Sequence, residues 1–405
     1  MVSIEEAQAL VLQRITPLET ETVPLLQGLH RVTSEEHVAP WDIPPADNSA
    51  MDGYAFAHAS LESRNMLMVA GFLAAGQLHS AVVAPGPAVK IMTGAAIPAG
   101  CDTVVPIEEV VEEGDHIRLT QAIKPGAHVR KRGEDIQQGS VVIPAGSLLR
   151  PQEIGMLSAM GKTSVTLHRR ARVAILATGD ELLEPGSTPS PGKIINSNSH
   201  SLAAQVLDAG GEPIMLGIAS DTLEESCERI RQGQGADLLV ISGGVSVGDR
   251  DFVRMAIEAV GGELLFWKVN MKPGKPLAFA LLQGKPVFAL PGNPVAAMVS
   301  FELFVRPAIL KAMGHGRIFR PTVKALLDGP AVNKGSRPHL VRGVLSRKSD
   351  HYQVSTTGNQ SSGRLSSLTQ GNCLLKLPPE ASLNTGQEVE AILLDRTFEM
   401  TTPSA

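Results

Sequence analysis

From Arg172 onward the chain alternates short apolar runs with amphipathic stretches, and this alternation constrains the fold more tightly than any other feature. The runs VAILAT (173–178), EPIMLGIAS (212–220) and ADLLVISGG (236–244) have the length of strands. They are followed by SHSLAAQVLDAG (199–210), TLEESCERIRQ (222–232) and FVRMAIEAV (252–260), whose apolar residues recur at helical spacing. Strands alternating with helices predict βαβ units and a parallel sheet in a doubly wound α/β domain. GKPVFALPGNPVAAMVSFELFVRPAIL (284–310) adds one more strand, a tight turn and a helix. Ligands of open α/β sheets bind outside the carboxyl ends of the strands, so the residues after each strand carry the functional expectation.

Four such segments stand out. SGGVSVGDRDF (242–252) combines Gly243 and Gly244, which let backbone N–H groups approach an anion, with the donors Ser242 and Ser246. Its Asp249 and Asp251 have the chemistry to hold magnesium; the same string also reads as a tight strand-to-helix turn with solvated carboxylates. In KPGKP (272–276) a Pro-Gly turn directs Lys272 and Lys275, with Lys268 one strand step earlier, a pattern that suits an oxyanion better than free surface lysines do. LPGNPVA (290–296) passes from strand to helix through Pro291 and Pro294, so helix N–H groups and the helix dipole are expected at the same edge. ATGDEL (177–182) brings Asp180 and Glu181 there as well, and Asp221 ends the second strand run, where it reads equally as an N-cap. Three anion-friendly loops on one sheet edge favour the functional reading over separate tight turns.

The remaining chain divides into three other pieces. Residues 1–45 with 138–170 form an N-terminal and linking domain: Ser3 and Glu6 make a capping box for a first helix, APWDIPP (39–45) is extended, and Pro151 opens a second helix. Residues 46–137 are an inserted β module of short apolar runs between turns, with polar clusters DNSAMDGYA (47–55), IMTGAAIPAG (91–100) and RKRGEDI (130–136). Residues 171–316 are the α/β domain, and 317–405, with HLVRGVLSR, HYQVSTTG, NCLLKL and EVEAILL, a C-terminal β domain of barrel-like character. The string from Gly155 to Thr163 imitates a P-loop but has five residues between its glycines and follows a helix, so it is rejected.

Composition narrows the function. A net charge of −5 without a basic block, and 3% aromatics, argue against nucleic acid. Cys101, Cys227 and Cys373 are far apart, with no C-x-x-C pair, which fits a reducing compartment. No apolar run approaches the ~18 residues of a membrane span, and Glu5 and Glu6 exclude a signal peptide. A soluble cytoplasmic protein is expected.

Taken together, NSAMDGYA, IMTGA, RGEDI, ATGDEL, SGGVSVGDRD, KPGKP and LPGNPVA resemble, in order and spacing and over nearly the whole chain, the molybdopterin molybdenumtransferase family, which also forms the C-terminal part of gephyrin. The resemblance implies an elongated homodimer of four-domain subunits, the β module of one near the molybdopterin-binding α/β domain of the other. It implies a reaction in which molybdate is delivered to adenylylated molybdopterin and AMP is released with the help of Mg2+. An adenylyltransferase-type enzyme would be the pathway partner. Carried over by motif, Asp52, Thr93, Asp135, Glu181, Asp221 and Asp251 are the implied catalytic residues, with Glu181, Asp221 and Asp251 also the metal ligands. Arg130, Ser242, Gly243, Gly244, Ser246, Lys268, Lys272, Lys275, Pro291, Pro294, Arg342 and Ser362 are the implied substrate- and anion-binding set. CDTVVPIEE departs from the family pattern at Pro106 and Ile107, Asn196 stands where Asp is frequent, and STTGNQSSG matches only loosely. Two other functions compete: the adenylyltransferase itself, which would resemble the α/β domain alone, and a non-catalytic gephyrin-like scaffold, which would not need the acid and lysine groups.

Overall fold

The computed structural model describes residues 1–405 apart from 62–64, 78, 80, 246–251, 396–398 and 400–405. By density of contacts the chain forms two compact units, Met1–Ser34 with Gly146–Leu149 and Val165–Ala405, and Glu35–Ala145 with Arg150–Ser164.

The first unit is organised by a six-stranded sheet: β1 (Arg172–Thr178), β2 (Glu212–Ala219), β3 (Leu238–Ser242), β4 (Glu263–Trp267), β5 (Ala278–Leu282) and β6 (Lys285–Leu290), in the order β2-β1-β3-β6-β5-β4. The first four pair in parallel, as expected. The last two do not: β4, β5 and β6 are joined by antiparallel pairing, so the sheet is mixed. A two-residue turn at Gln283 and Gly284, both with positive φ, links β5 directly to β6 without a helical crossover, and a connection that short can only return antiparallel.

Both faces of the sheet are buried by alternate residues. Val173 and Ile175 of β1, Val240 of β3 and Phe288 of β6 join one apolar cluster with Leu202 and Val206 of α1 (Asn198–Asp208) and Val295 and Val299 of α4 (Pro294–Ser300). Ala174, Leu176, Leu239, Ile241 and Val287 join the other with Ile230 of α2 (Leu223–Gln232) and Val253 and Ile257 of α3 (Phe252–Ala259). A period of two that is apolar on both faces is what makes these strands read as unbroken apolar runs. The N-terminal helix Ile4–Gln13 has the expected capping box between Ser3 and Glu6, and packs Ile4, Ala7 and Val11 into the first cluster. The chain ends in a closed five-stranded barrel of Thr322–Leu327, His339–Arg347, Tyr352–Thr356, Cys373–Leu377 and Glu388–Leu393, a closure that leaves no free sheet edge.

The second unit holds a six-stranded sheet in the order Thr103–Pro106, Gly53–Phe56, Ala88–Ile91, Met66–Leu73, His116–Leu119, Val110–Glu113. Its core is formed by Tyr54, Phe56, Leu67, Val105 and Ile117.

Candidate functional site

The register of the parallel strands sets Ala177 against Ser242, Thr178 against Ala219 and Ser242 against Leu290, so four carboxyl ends finish level. They open onto a cavity of about 410 Å³, with Thr178 and Glu181 after β1, Asp221 after β2, Ser242, Gly243 and Gly244 at β3, and Pro291 to Pro294 after β6. The strand order reverses at β1, which is the topological switch point at which such sheets place their crevice. Asp180 and Asp221 interlock: the Asp221 N–H donates to the Asp180 carboxylate at 3.1 Å and the Asp180 N–H to that of Asp221 at 3.5 Å. Thr222, not Asp221, caps α2, accepting the Glu225 N–H, which corrects the capping alternative for Asp221. The glycine pair has a steric cause. Gly243 has φ +103°, and a Cβ there would lie 2.4 Å from the Thr178 carbonyl oxygen. The Gly243 N–H donates to the Leu290 carbonyl at 3.1 Å, so this N–H is not free for an anion as expected.

A second cavity, about 590 Å³, adjoins the first across Pro276, Pro291 and Asn293. Lys272, Lys275, Arg337, Ser361 and Ser362 line it. The KPGKP backbone is fixed on both sides. The Lys272 N–H donates to the Pro338 carbonyl at 2.9 Å and its own carbonyl accepts from Leu340 at 2.7 Å, while the Lys275 carbonyl accepts from Val269 and Leu277. Pro273 and Gly274 are buried and the two lysines exposed, so the turn is anchored and the ammonium groups project. Gly274, φ +100°, has no room for a Cβ, which would come within 2.7 Å of Ser300 Oγ. At α4, Pro294 occupies the first turn and has no N–H, and the Val295 N–H donates to the Ser362 carbonyl at 3.2 Å. The expected helix-terminus donors are thus partly taken by the chain itself.

Arg342 lines neither cavity. It is fully buried; Nε donates to Ser367 Oγ at 3.0 Å and Nη2 to the Ser361 carbonyl at 3.1 Å, while its backbone N–H and carbonyl bond the Gln360 side chain. Burial pushes its guanidinium down to about 10. Arg342 therefore holds the loop that carries Ser361 and Ser362, and does not itself reach the cavity. Lys268 is half-buried with positive φ and also lines neither cavity. Ser246 and Asp251, with Asp249, lie outside the described residues.

In the second unit, Gly53 pairs with Ile91, which brings the residues flanking those strands together. The Thr93 N–H and hydroxyl donate to one Asp52 carboxylate oxygen at 2.7 and 2.6 Å. The Thr93 hydroxyl, then its N–H, hold the Asp52 carboxyl below the usual carboxylate range. Arg130 lies opposite Asn48 in a short antiparallel pair, and the Asp135 N–H donates to the Ile43 carbonyl. Their neighbours Lys131 and Arg132 are ion-paired to Asp47 and Asp42. Sequence reasoning did not single out Arg337, Asn198 or Thr178, all of which line the cavities.

Glu181 and Asp221, with the hydroxyl and amide oxygens nearby, are hard donors suited to magnesium, which characteristically takes one or two carboxylates plus substrate phosphates. Among the described residues no three His, Cys, Asp or Glu side chains gather to hold a metal by themselves. No helix among them is long and apolar enough to cross a membrane.

Residues 2–161 match the MoeA N-terminal region (domains I and II), 174–311 a probable molybdopterin binding domain, and 324–394 the MoeA C-terminal region (domain IV). Molybdopterin molybdenumtransferase 2 of Mycobacterium tuberculosis is 35% identical over 391 residues, 94% of this chain and 96% of its own. Molybdopterin molybdenumtransferase of Haemophilus influenzae is 34% identical over 395 residues, 96% of this chain and 98% of its own. The crystal structure of the molybdopterin biosynthesis MoeA protein from Pyrococcus horikoshii, 32% identical, superposes with a TM-score of 0.83 over 97% of this chain and 100% of that one. An adenylyltransferase would match the α/β segment alone, and the whole-chain relatives carry the transferase name, so neither it nor a scaffold is favoured. The chain belongs to the molybdopterin molybdenumtransferase (MoeA) family.

Proposed function

We infer that this chain inserts molybdenum from molybdate into adenylylated molybdopterin and releases AMP. The observation that carries this reading is the pairing of two adjoining cavities of opposite character, one lined by Lys272, Lys275 and Arg337, the other by Glu181 and Asp221. Molybdate is a tetrahedral dianion. Two ammonium groups on an anchored turn, a guanidinium and the Ser361 and Ser362 hydroxyls offer it charge-assisted donors in a partly enclosed space. Arg342 contributes by holding the serine loop in place, and Lys268 by supporting the strand end that leads into the turn. Glu181 and Asp221 would hold Mg2+ together with a phosphate of the substrate, and bound there the ion would neutralise phosphate charge. We assign Asp251 to the same acidic group from its motif. We assign the hydrogen-bonded Asp52 and Thr93, and from their motif Arg130 and Asp135, to the same reaction.

A four-domain division at 1–45 with 138–170, 46–137, 171–316 and 317–405 is the corresponding organisation. The family resemblance further supports a cytoplasmic homodimer supplied with substrate by an adenylyltransferase-type enzyme; sedimentation velocity tests the dimer. The decisive experiment incubates the purified chain with adenylylated molybdopterin, Mg2+ and molybdate while measuring AMP. Molybdate-dependent AMP release is expected, and its absence from properly folded protein refutes the reading.

A further inference from the structure

We propose that Thr178 and Asn198 contact the substrate, their side-chain oxygens forming a neutral hydrogen-bonding edge that receives the N–H donors of a pterin- or purine-like ring. The inference deepens the functional reading above and rests on it for the ligand's identity. Both residues line the cavity at the strand ends and both are buried, Thr178 4% and Asn198 9% exposed. Thr178 Oγ1 and Asn198 Oδ1 have no hydrogen-bond partner in the protein. Buried polar atoms are nearly always paired, so two unpaired oxygens in one cavity call for a partner that arrives from outside the chain.

The orientation of the Asn198 amide follows from chemistry. Its Nδ2 lies 2.8 Å from the Gly292 carbonyl and 2.8 Å from Ser242 Oγ. A carbonyl oxygen can only accept, so the atom facing Gly292 must be the amide nitrogen. The oxygen is left unpaired, and it can only accept. Thr178 stands one residue beyond the Ala177–Ser242 pair, beneath the turn at Gly243 and Gly244. A Cβ on Gly243 or Gly244 would lie 3.0 or 2.9 Å from the Thr178 hydroxyl, so glycine at both positions lets the turn pass over that hydroxyl without a side chain pressing on it.

This edge does not suit a phosphate. Asn198 Oδ1 is an acceptor, and the Gly243 N–H beside it is taken by Leu290, so this edge offers no cation and no free backbone donor. An anion would meet acceptors, whereas a ring amino or lactam N–H would satisfy them, and the Thr178 hydroxyl can donate to a ring nitrogen or carbonyl beside it. A cavity of about 410 Å³ is large enough for a bicyclic ring. The ligand's phosphate then lies toward Glu181 and Asp221 in the same cavity, and the molybdate cavity adjoins across Pro276 and Pro291.

The test is Thr178→Val, which removes the hydroxyl at constant shape, with Thr178→Ser as rescue and Asn198→Ala as a second arm. Calorimetric titrations use adenylylated molybdopterin, molybdopterin and AMP, alongside melting temperature and the molybdate dependence of AMP release. Thr178→Val should weaken adenylylated molybdopterin about 3- to 10-fold, the worth of one neutral hydrogen bond. Its melting temperature should be unchanged or higher, because an unpaired buried hydroxyl has gone, and its molybdate half-saturation should not move. Thr178→Ser should restore affinity, and Asn198→Ala should weaken the same ligand. Whichever fragment, molybdopterin or AMP, loses affinity identifies the ring that occupies the edge. Wild-type affinity in both Thr178→Val and Asn198→Ala overturns the inference and leaves the two oxygens to ordered water. If the wild-type chain does not bind adenylylated molybdopterin, the functional reading falls first and this one with it.

Discussion

His339 provides a measurable link between the cationic cavity and stability. It is 4% exposed at the start of a barrel strand, bridged to Lys272, and neither ring nitrogen has a partner. Burial, then the charges of Lys272, Arg342 and Arg337, push its imidazole down to about 4. In the unfolded chain the ring takes up its proton near pH 6.5. The unfolded state therefore binds the proton first as pH falls, and stability present at pH 8 is lost progressively below about 6.5 until the folded ring also titrates. A gap of about two and a half pH units corresponds to about 3 kcal/mol in full, and about 2 kcal/mol of that is lost by pH 5. His339→Leu cannot titrate and should lose less stability between pH 8 and pH 5 than the parent by about that amount. The remaining slope includes His315, which burial and Arg306 also hold at about 4. The assay is urea unfolding in a Trp41→Phe background, so that Trp267, in the same compact unit as His339, is the sole tryptophan reporter. Equal pH dependence in parent and variant would refute the argument, because it would mean that the buried ring is not held neutral.

Lys275→Ala should raise the molybdate needed for half-maximal AMP release by roughly 10- to 100-fold, the loss of a charge-assisted hydrogen bond, with partial rescue by excess molybdate. Lys275→Arg should fall between the two, because a planar fork replaces a compact ammonium; wild-type molybdate dependence in both variants would place the anion elsewhere. Asp251→Ala should leave binding of adenylylated molybdopterin intact and block AMP release, and turnover at the parent rate would remove Asp251 from the reaction. Gly243→Ala should destabilise the α/β unit by roughly 2 kcal/mol or more, since φ +103° and a contact at 2.4 Å must both be relieved; an unchanged urea midpoint would show that the turn relaxes freely.

The most clearly legible strands are those buried on both faces, while β2 at the sheet edge is legible although most of it is only half-buried. Beyond Asp237 and Lys285 at their starts, VAILAT, ADLLVIS and KPVFAL have no solvent side, so nearly every residue is apolar and the run stands out, and the helices between them carry a clear stripe. The hairpin of β4 and β5 was not legible as part of the same sheet. β4 is a sheet edge with Glu263 exposed and Leu264 and Leu265 only half-buried, and β5 follows the KPGKP turn with no helix to announce a crossover. Barrel closure in the last segment depends on Thr322–Leu327 pairing with Glu388–Leu393, more than sixty residues apart. Local pattern sets the strands there, and long-range register decides whether they close.

For the site, legibility followed where polar groups meet constrained backbone. KPGKP and the glycine pair announce themselves because proline and glycine are needed wherever the chain turns sharply against something, and both turns do line a cavity. Arg337, Thr178 and Asn198 are single polar residues whose place depends on partners distant in sequence: Met271 for the Arg337 guanidinium, Ser242 and Gly292 for the Asn198 amide. The sharpest difference is Arg342. The family resemblance places Arg342 in the anion-binding set. Its accessible surface is nil, Nε goes to Ser367 and Nη2 to Ser361 while Nη1 has no partner, and these bonds make it a support of the loop that carries the cavity-lining serines. Spacing can say that a cation lies near a site, but only packing decides whether the charge faces the substrate or the loop behind it.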